Sequence, residues 1–288
     1  MTNEEKYLDL LRTVLDKGLD RADRTGVGVR SLFGFQTRFD LKVTFPLLTT
    51  KKMNLASIVS ELLWFIEGSG DERRLAEIRF GKDRNALGNK RTIWTDNAEA
   101  PYWLSRAKFD GDLGRVYGVQ WRDWQTSDGR SVDQLANLIA GIKRDPFGRR
   151  HIISAWNPGE LEEMALPPCH VMAQFYVAGG ELSCLLYQRS NDLFLGSPYN
   201  IASYALFTKM IAQVCGLRAG ELIYSQGDTH IYHNHTEAVR EQLTRTPLQG
   251  PQIYVDPSIK KIEDFRMEHF ELIGYDNPYP AIKAAMAV

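Results

Sequence analysis

Apolar residues near the N-terminus recur with the helical period. Tyr7, Leu8, Leu11, Val14 and Leu15 share a face, Thr2 and Glu5 stand at capping-box spacing, and Gly18 follows where such a helix would end. The run Asp23-Arg24-Thr25-Gly26 reads as a loop, and the alternation of Leu32, Gly34 and Gln36 with Phe33, Phe35 and Thr37 predicts a strand. Leu55, Ile58, Val59, Leu62 and Ile66 predict a strongly apolar helix. From about Gly68 to Gly111 the chain turns polar and irregular, as expected of a variable surface insertion. Ser131 and Gln134 suggest a second capping box before Leu135, Leu138, Ile139 and Ile142. The period then changes to two. His170–Val177 and Glu181–Gln188 read as strands joined through Ala178-Gly179-Gly180, a hairpin signal. Asn200 to Cys215, closed by Gly216, reads as a buried helix, and Ile152–Ala155 and Glu221–Tyr224 as further strands. With no repeat, low-complexity tract or Pro/Ser-rich linker, the pattern predicts a single α+β domain in which a mixed sheet packs against helices.

Composition narrows the function classes. The 288 residues carry 35 Lys and Arg against 36 Asp and Glu, a formal charge of -1, which argues against non-specific nucleic-acid or membrane-surface binding. A hydrophobic share of 43% excludes a largely disordered chain and supplies a core. No basic segment leading into an apolar one suggests a signal peptide, and no apolar run approaches a membrane span, so a soluble cytoplasmic protein is expected. The three cysteines, at 169, 184 and 215, form neither a disulfide framework nor a C-x-x-C zinc motif, and free thiols are expected. His230, His233 and His235 lack an added acidic residue at ligand spacing, and no metal is expected. Gly26-Val27-Gly28 begins like a dinucleotide fingerprint, but the third glycine is missing and a strand follows rather than a helix.

The segment Ala165-Leu166-Pro167-Pro168-Cys169-His170 is more informative. Two prolines fix the backbone before a thiol, and a strand begins after it. A free Cys alone reads more readily as a small buried hydrophobe, and Cys184 and Cys215, inside apolar runs, take that reading. A nucleophilic thiol needs cations nearby. Arg24, Arg149, Arg150 and Arg189 all lie in short polar contexts, where guanidinium forks suit phosphate. For Arg149 and Arg150 taken alone, solvated surface charge is the better reading. Arg189 ends an apolar strand and is harder to dismiss. A thiol near phosphate binders suggests a nucleotide or sugar-phosphate substrate, with Asn200 and His230 able to read a base.

Taken in order, SELLWF, VYGVQWR, ALPPCH, QRSND-LFLG, PYNIASYA and GDTHIYHNH resemble the thymidylate synthase family, over nearly the whole chain from DRTG onward and least across 68–111. The resemblance implies that the family fold carries one catalytic domain spanning residues 1–288. It implies addition of the Cys169 thiolate to C6 of dUMP, attack of C5 on the methylene carbon of 5,10-methylenetetrahydrofolate, and loss of the C5 proton. Hydride transfer then gives dTMP and dihydrofolate. Glu61 would organise water and proton transfers, Tyr117 would assist proton removal, and His170 and Asp192 would support the water network. Arg24, Arg189 and Ser190 would hold the phosphate, with Arg149 and Arg150 reaching it from the partner subunit of an obligate homodimer. Gln188 joins the substrate-binding set. Asn200 would read O4 and N3–H of the base, and His230 and Tyr232 the deoxyribose hydroxyl. Trp94, Asn97, Asp192, Leu195, Gly196, Tyr199 and Ala287 would meet the folate, with the tail closing over it against water. Neither metal, membrane nor nucleic acid is implied.

Some positions depart from the family pattern. The usual GLPFN is Gly196-Ser197-Pro198-Tyr199-Asn200, GGDTH is Gln226-Gly227-Asp228-Thr229-His230, and GPVYG is Gly114-Arg115-Val116-Tyr117-Gly118. The tail has Ala285-Met286 where Pro-Val is common. None removes a catalytic residue, but several add polarity near the one-carbon chemistry. They raise a second expectation, a pyrimidine-nucleotide 5-hydroxymethylase of the same fold in which water replaces hydride. Trp94 and the closing tail favour methylation. A non-catalytic nucleotide or RNA binder fits poorly with Cys169, Glu61 and Asn200 together. An unrelated Cys hydrolase using His170 as base is the remaining alternative.

Overall fold

The computed structural model describes residues 1–285. Helix α1 (Asn3–Lys17) starts at the expected capping box: the Thr2 hydroxyl accepts from the Glu5 N–H, and the Glu5 carboxylate accepts from the Thr2 N–H. Two donors that a helix start leaves free are thereby satisfied. Short strand β1 (Leu19–Arg21) pairs with β2 (Val29–Asp40) across the Asp23–Gly28 loop. Helix α2 (Leu55–Glu67) is capped by the Asn54 side chain and stops at Gly68, whose φ of 79° only glycine adopts readily.

The stretch 68–111 is more ordered than its polarity suggests. It holds α3 (Glu72–Phe80), α4 (Thr95–Ala98) and α5 (Pro101–Leu104), and it buries Leu75, Leu87, Trp94 and Trp103. Its polar residues are used locally. The buried Glu72 carboxylate accepts from the Thr92 and Thr95 hydroxyls, each at 2.6 Å, and pairs with Arg73. Hydrophobic periodicity therefore understates the order of a segment whose contacts are largely polar.

Helix α6 (Tyr117–Arg122) lies against α2, followed by the small hairpin of β3 (Trp124–Gln125) and β4 (Ser131–Val132). Helix α7 (Gln134–Arg144) is capped differently from the sequence expectation. Ser131 sits in β4 and donates its hydroxyl to Asp123, while Asp133 accepts from the Ala136 N–H. Asp133 stands immediately before the helix and supplies the acceptor. That leaves the Gln134 side chain to bond both the N–H and the C=O of Ser154.

Strands β5 (Ile152–Ser154), β6 (His170–Ala178) and β7 (Glu181–Asp192), helix α8 (Gly196–Val214) and strand β8 (Arg218–Tyr232) complete the main sheet. Helix α9 (Thr236–Leu243) and the antiparallel pair β9 (Gln252–Val255) and β10 (Phe270–Ile273) follow. The six strands run β1-β2-β8-β7-β6-β5. Only β7 and β8 are parallel, and α8 is their crossover, so the sheet is mixed and the fold is α+β as expected. Helix α8 is apolar almost all round because it packs against both the sheet and α2. Strand β8 extends well beyond the expected Glu221–Tyr224. Its later polar residues Gln226, Thr229 and His230 pair with β2 and β7 and are buried. On β5, β6 and β7 the register puts Ile152, Tyr176 and Tyr187 on one exposed face, with Phe33 of β2 also 83% exposed.

The contact between α2 and α6 sets the site's spacing. A Cβ on Gly118 would lie 2.6 Å from the Phe65 carbonyl oxygen, a backbone atom that cannot swing aside. Gly118→Ala is expected to cost about 1–3 kcal/mol and lower the thermal midpoint. An unchanged midpoint in a melting experiment would contradict this packing.

Candidate active site

Cys169 immediately precedes β6, at the end of the two-proline segment. Its N–H donates to the Tyr117 hydroxyl oxygen at 2.7 Å, and its carbonyl accepts from the Arg189 N–H at 2.9 Å. The Arg189 guanidinium donates to the carbonyls of Pro168 at 2.8 Å and Pro167 at 3.0 Å, and it lies over the Trp156 ring. Burial pushes the Cys169 thiol up, while Arg189, the Tyr117 hydroxyl and Arg24 oppose that push. The thiol is thus neutral at rest, with cations placed to favour its anion. Cys184 and Cys215 are pushed up to about 12 and about 11, also by burial, and neither has an arginine as a counterweight.

Beside the thiol runs a chain of amides. His170 Nε2 meets Asn200 Oδ1 at 3.1 Å, and burial lowers this imidazole to about 4, so it is neutral. A neutral ring that donates from Nε2 leaves Nδ1 as an acceptor, and Nδ1 has no partner among the described residues. Asn200 Nδ2 donates to Gln188 Oε1 at 3.1 Å, and Gln188 Nε2 donates to the Ser190 carbonyl at 2.9 Å.

Glu61, on α2, accepts from Trp94 Nε1 at 2.7 Å. Burial raises this carboxyl from its ordinary 4.5 to about 7, against the lowering effect of the Trp94 N–H. Trp94 packs edge-on to Tyr117, so the 68–111 segment supplies a wall of the site. Asp192 ends β7, where its Oδ1 accepts from the N–H groups of Phe194 at 3.0 Å and Leu195 at 3.1 Å. Leu195 and Gly196 begin α8, and Tyr199 is half-buried one turn on, its oxygen set between the Asn54 backbone and Arg79. Asn97 lies with Arg24 along a surface cleft of about 370 Å³.

Other expected residues fall around this centre. His230 pairs with Asp192 in the β7–β8 register, and its Nδ1 lies 3.2 Å from Asp228, with Tyr232 packed edge-on to the ring. His233 and His235 turn to Asp20 and the Ala285 carbonyl, so the three histidines do not converge. Among the described residues no group of three His, Cys, Asp or Glu could hold a metal ion. Arg149 and Arg150 are not brought to Cys169. They are exposed, without a carboxylate partner among the described residues, and line a cavity of about 680 Å³ with Gln134, Arg144 and His151. Ala287 lies outside the described residues.

This thiol, amide chain and buried carboxyl sit in residues matched end to end by one family: the sequence profile of thymidylate synthase matches residues 5–288. The chain belongs to the thymidylate synthase family. As a thymidylate synthase family member it is a folate-dependent enzyme of nucleotide biosynthesis that transfers a one-carbon unit to C5 of dUMP. No helix among its described residues is long and apolar enough to cross a membrane.

Sequence reasoning missed Lys51, Trp156, Asn191 and Tyr224. Lys51 is buried, donates to the Phe194 carbonyl and is lowered to about 7 by burial, yet in the sequence it is one of two adjacent lysines with no apolar pattern to mark it. Tyr224 lay within an expected strand, with nothing to say that its hydroxyl would meet Gln188.

The Glu61 carboxyl gives a pH prediction. Removing the Trp94 N–H withdraws a bond to the ionised form, so the Glu61 inflection near 7 in the pH profile of kcat/KM should move upward in Trp94→Phe. An inflection that stays in place would contradict the assignment. The folded chain holds this proton more tightly than the unfolded chain does. Its contribution to stability is therefore full below about pH 4.5 and is lost as pH rises through about 7.

Proposed function

We propose that the protein methylates dUMP reductively at C5, giving dTMP, through a covalent adduct of Cys169 at C6 with 5,10-methylenetetrahydrofolate as cosubstrate. The observation that carries this reading is the fastening of Cys169 to Tyr117 and Arg189 beside an amide of fixed polarity. Asn200 Oδ1 accepts from His170 and its Nδ2 donates to Gln188. One N–H and one lone pair then remain for a base, and they suit O4 and N3–H of uracil. Cytosine presents the reverse pattern.

The remaining roles are those the family resemblance implies, and the placement of the residues supports them. Arg24, Arg189 and Ser190 hold the phosphate, and charge transfer to the sulfur is favoured by the same arginines. His230 and Tyr232 face the deoxyribose. Tyr117 lies against the thiol and assists proton removal at C5, while Glu61, near 7, can hold or release a proton at neutral pH. His170 and Asp192 order water around the base. Buried Trp94 with half-buried Leu195 and Tyr199 offers an aromatic and aliphatic wall, and Asp192 keeps Oδ2 free for a pterin N–H, so the residues fit a folate. Asn97, Gly196 and Ala287 join that set. The folate supplies the one-carbon unit and the hydride.

Two departures from the family pattern, Tyr199 and Arg115, support methylation over hydroxymethylation. The Tyr199 oxygen is engaged toward Asn54 and Arg79, and Ser197 and Gln226 are buried beside Tyr224 and Asn191. Arg115 is spent on Glu160 at 2.6 Å and Asp123 at 3.1 Å. Tyr199 and Arg115 are therefore not free to hold a water for capture of the exocyclic methylene, while Ser197 Oγ and Gln226 Nε2, without a partner among the described residues, are buried. The exposed face of Ile152, Tyr176 and Tyr187, and two unpaired arginines remote from Cys169, support a homodimer with shared phosphate sites. We place this activity in the cytoplasm.

Incubation with dUMP and methylenetetrahydrofolate should yield a 5-methyl product by mass spectrometry, with dihydrofolate by absorbance. A 5-hydroxymethyl product with tetrahydrofolate would replace the proposal by its alternative. Cys169→Ala and the double variant Arg149→Ala, Arg150→Ala should each be inactive. After mixed refolding, heterodimers regain one intact site and activity returns. No recovery, with heterodimers demonstrated, would contradict the shared site.

A further inference from the structure

Base choice in the reading above rests on Asn200, and the structure shows what holds Asn200. Gln188 Oε1 accepts from Asn200 Nδ2 and also from the Tyr224 hydroxyl, the latter at 2.6 Å. Asn191 Oδ1 accepts from Gln188 Nε2 at 3.3 Å and lies 3.0 Å from the Tyr224 oxygen, whose one proton goes to the nearer Gln188 Oε1; the Ser197 hydroxyl and Asn200 amide border that oxygen. Asn191 Nδ2 donates to Gln226 Oε1 at 2.5 Å. Tyr224, Gln188, Asn191, Ser197 and Gln226 are all buried, so a bond lost here is not replaced by solvent.

The directions of these bonds are not arbitrary. A backbone carbonyl, Ser190, can only accept, which commits Gln188 Nε2 to donate. Burial keeps the Tyr224 proton on its oxygen, so the phenol is a standing donor to Gln188 Oε1. Reversing Gln188 would set its oxygen against the Ser190 carbonyl and take from the phenol its nearer acceptor. Gln188 therefore offers Asn200 an acceptor, and Asn200 can answer only with Nδ2. That leaves the uracil pattern facing the substrate.

We infer that Tyr224 is a positioning residue for base selection: its buried hydroxyl donates to Gln188 Oε1 while Asn191, held by Gln226, accepts from Gln188 Nε2, and together they fix the acceptor end of Gln188 against Asn200 and thereby favour a uracil over a cytosine nucleotide. The inference rests on Asn200 reading the base. It also gives the polar departure Gln226 a purpose, holding Asn191 beneath Gln188.

The test compares Kd for dUMP and dCMP, with kcat and KM for dUMP, in the native enzyme and in Tyr224→Phe. Loss of one neutral buried hydrogen bond predicts a fall of roughly three- to tenfold in dUMP-over-dCMP preference, with KM for dUMP raised and kcat little changed. Gln226→Leu leaves Asn191 Nδ2 without an acceptor and should move the preference the same way by less. Gln226→Glu keeps that acceptor and should retain the native ratio, since the Gln226 Nε2 it replaces has no partner among the described residues. Equal weakening of both nucleotides in Tyr224→Phe and Gln226→Leu, leaving the ratio unmoved, would overturn the inference. Asn200→Asp separates the two layers. If it shifts the preference while Tyr224→Phe does not, the inference alone fails. If it too leaves the preference unmoved, base reading by Asn200 fails.

Discussion

Four hydrogen bonds fasten the residue that must react, and the site is arranged around them. Tyr117 receives the Cys169 N–H, the Arg189 backbone donates to the Cys169 carbonyl, and the Arg189 side chain ties the two preceding prolines. Each partner comes from an element with another duty. Tyr117 opens α6, which presses Gly118 onto α2, and α2 carries Glu61. Arg189 lies on β7 between Gln188, which orients Asn200, and Ser190, whose carbonyl orients Gln188. Thiol, carboxyl and base reader are therefore one mechanical unit, and a shift in any of them is felt by the others.

Desolvation then sets the protonation of that unit. The Glu61 carboxyl and the Cys169 thiol go up and the His170 imidazole goes down, so one cause drives all three toward the neutral form. Charge enters through arginines at the edge, beside the thiol. The opposition is useful. A neutral resting site stores little electrostatic cost, while a substrate phosphate on the arginines and an electrophilic ring over the sulfur are what draw the thiolate out.

Local signals were legible in the sequence where a short range of residues settles the structure. The Thr2–Glu5 cap, the Gly179-Gly180 hairpin and the proline-bound Cys169 belong here, because each depends on neighbours a few residues away. Ser131 misled because Asp133, two residues on, offers the better-placed acceptor. The order within 68–111 was hidden because buried ion pairs such as Glu72–Arg73 leave no hydrophobic period. The reach of β8 was hidden because its inward residues are polar. Lys51, Tyr224 and the Asn191–Gln226 bond depend on partners far along the chain, and no spacing rule announces them. Arg149 and Arg150 looked like surface charge and are on the surface. Their part in catalysis is a proposal about a second subunit.

The most direct measurement traps the bond itself. With methylenetetrahydrofolate and 5-fluoro-dUMP, whose C5 substituent cannot leave as a proton does, the reaction should halt as a covalent complex. Peptide mass spectrometry should then find the nucleotide and the folate together on the peptide containing Cys169. A complex joined through any other residue, or continued turnover of dUMP by Cys169→Ala, would contradict the central claim.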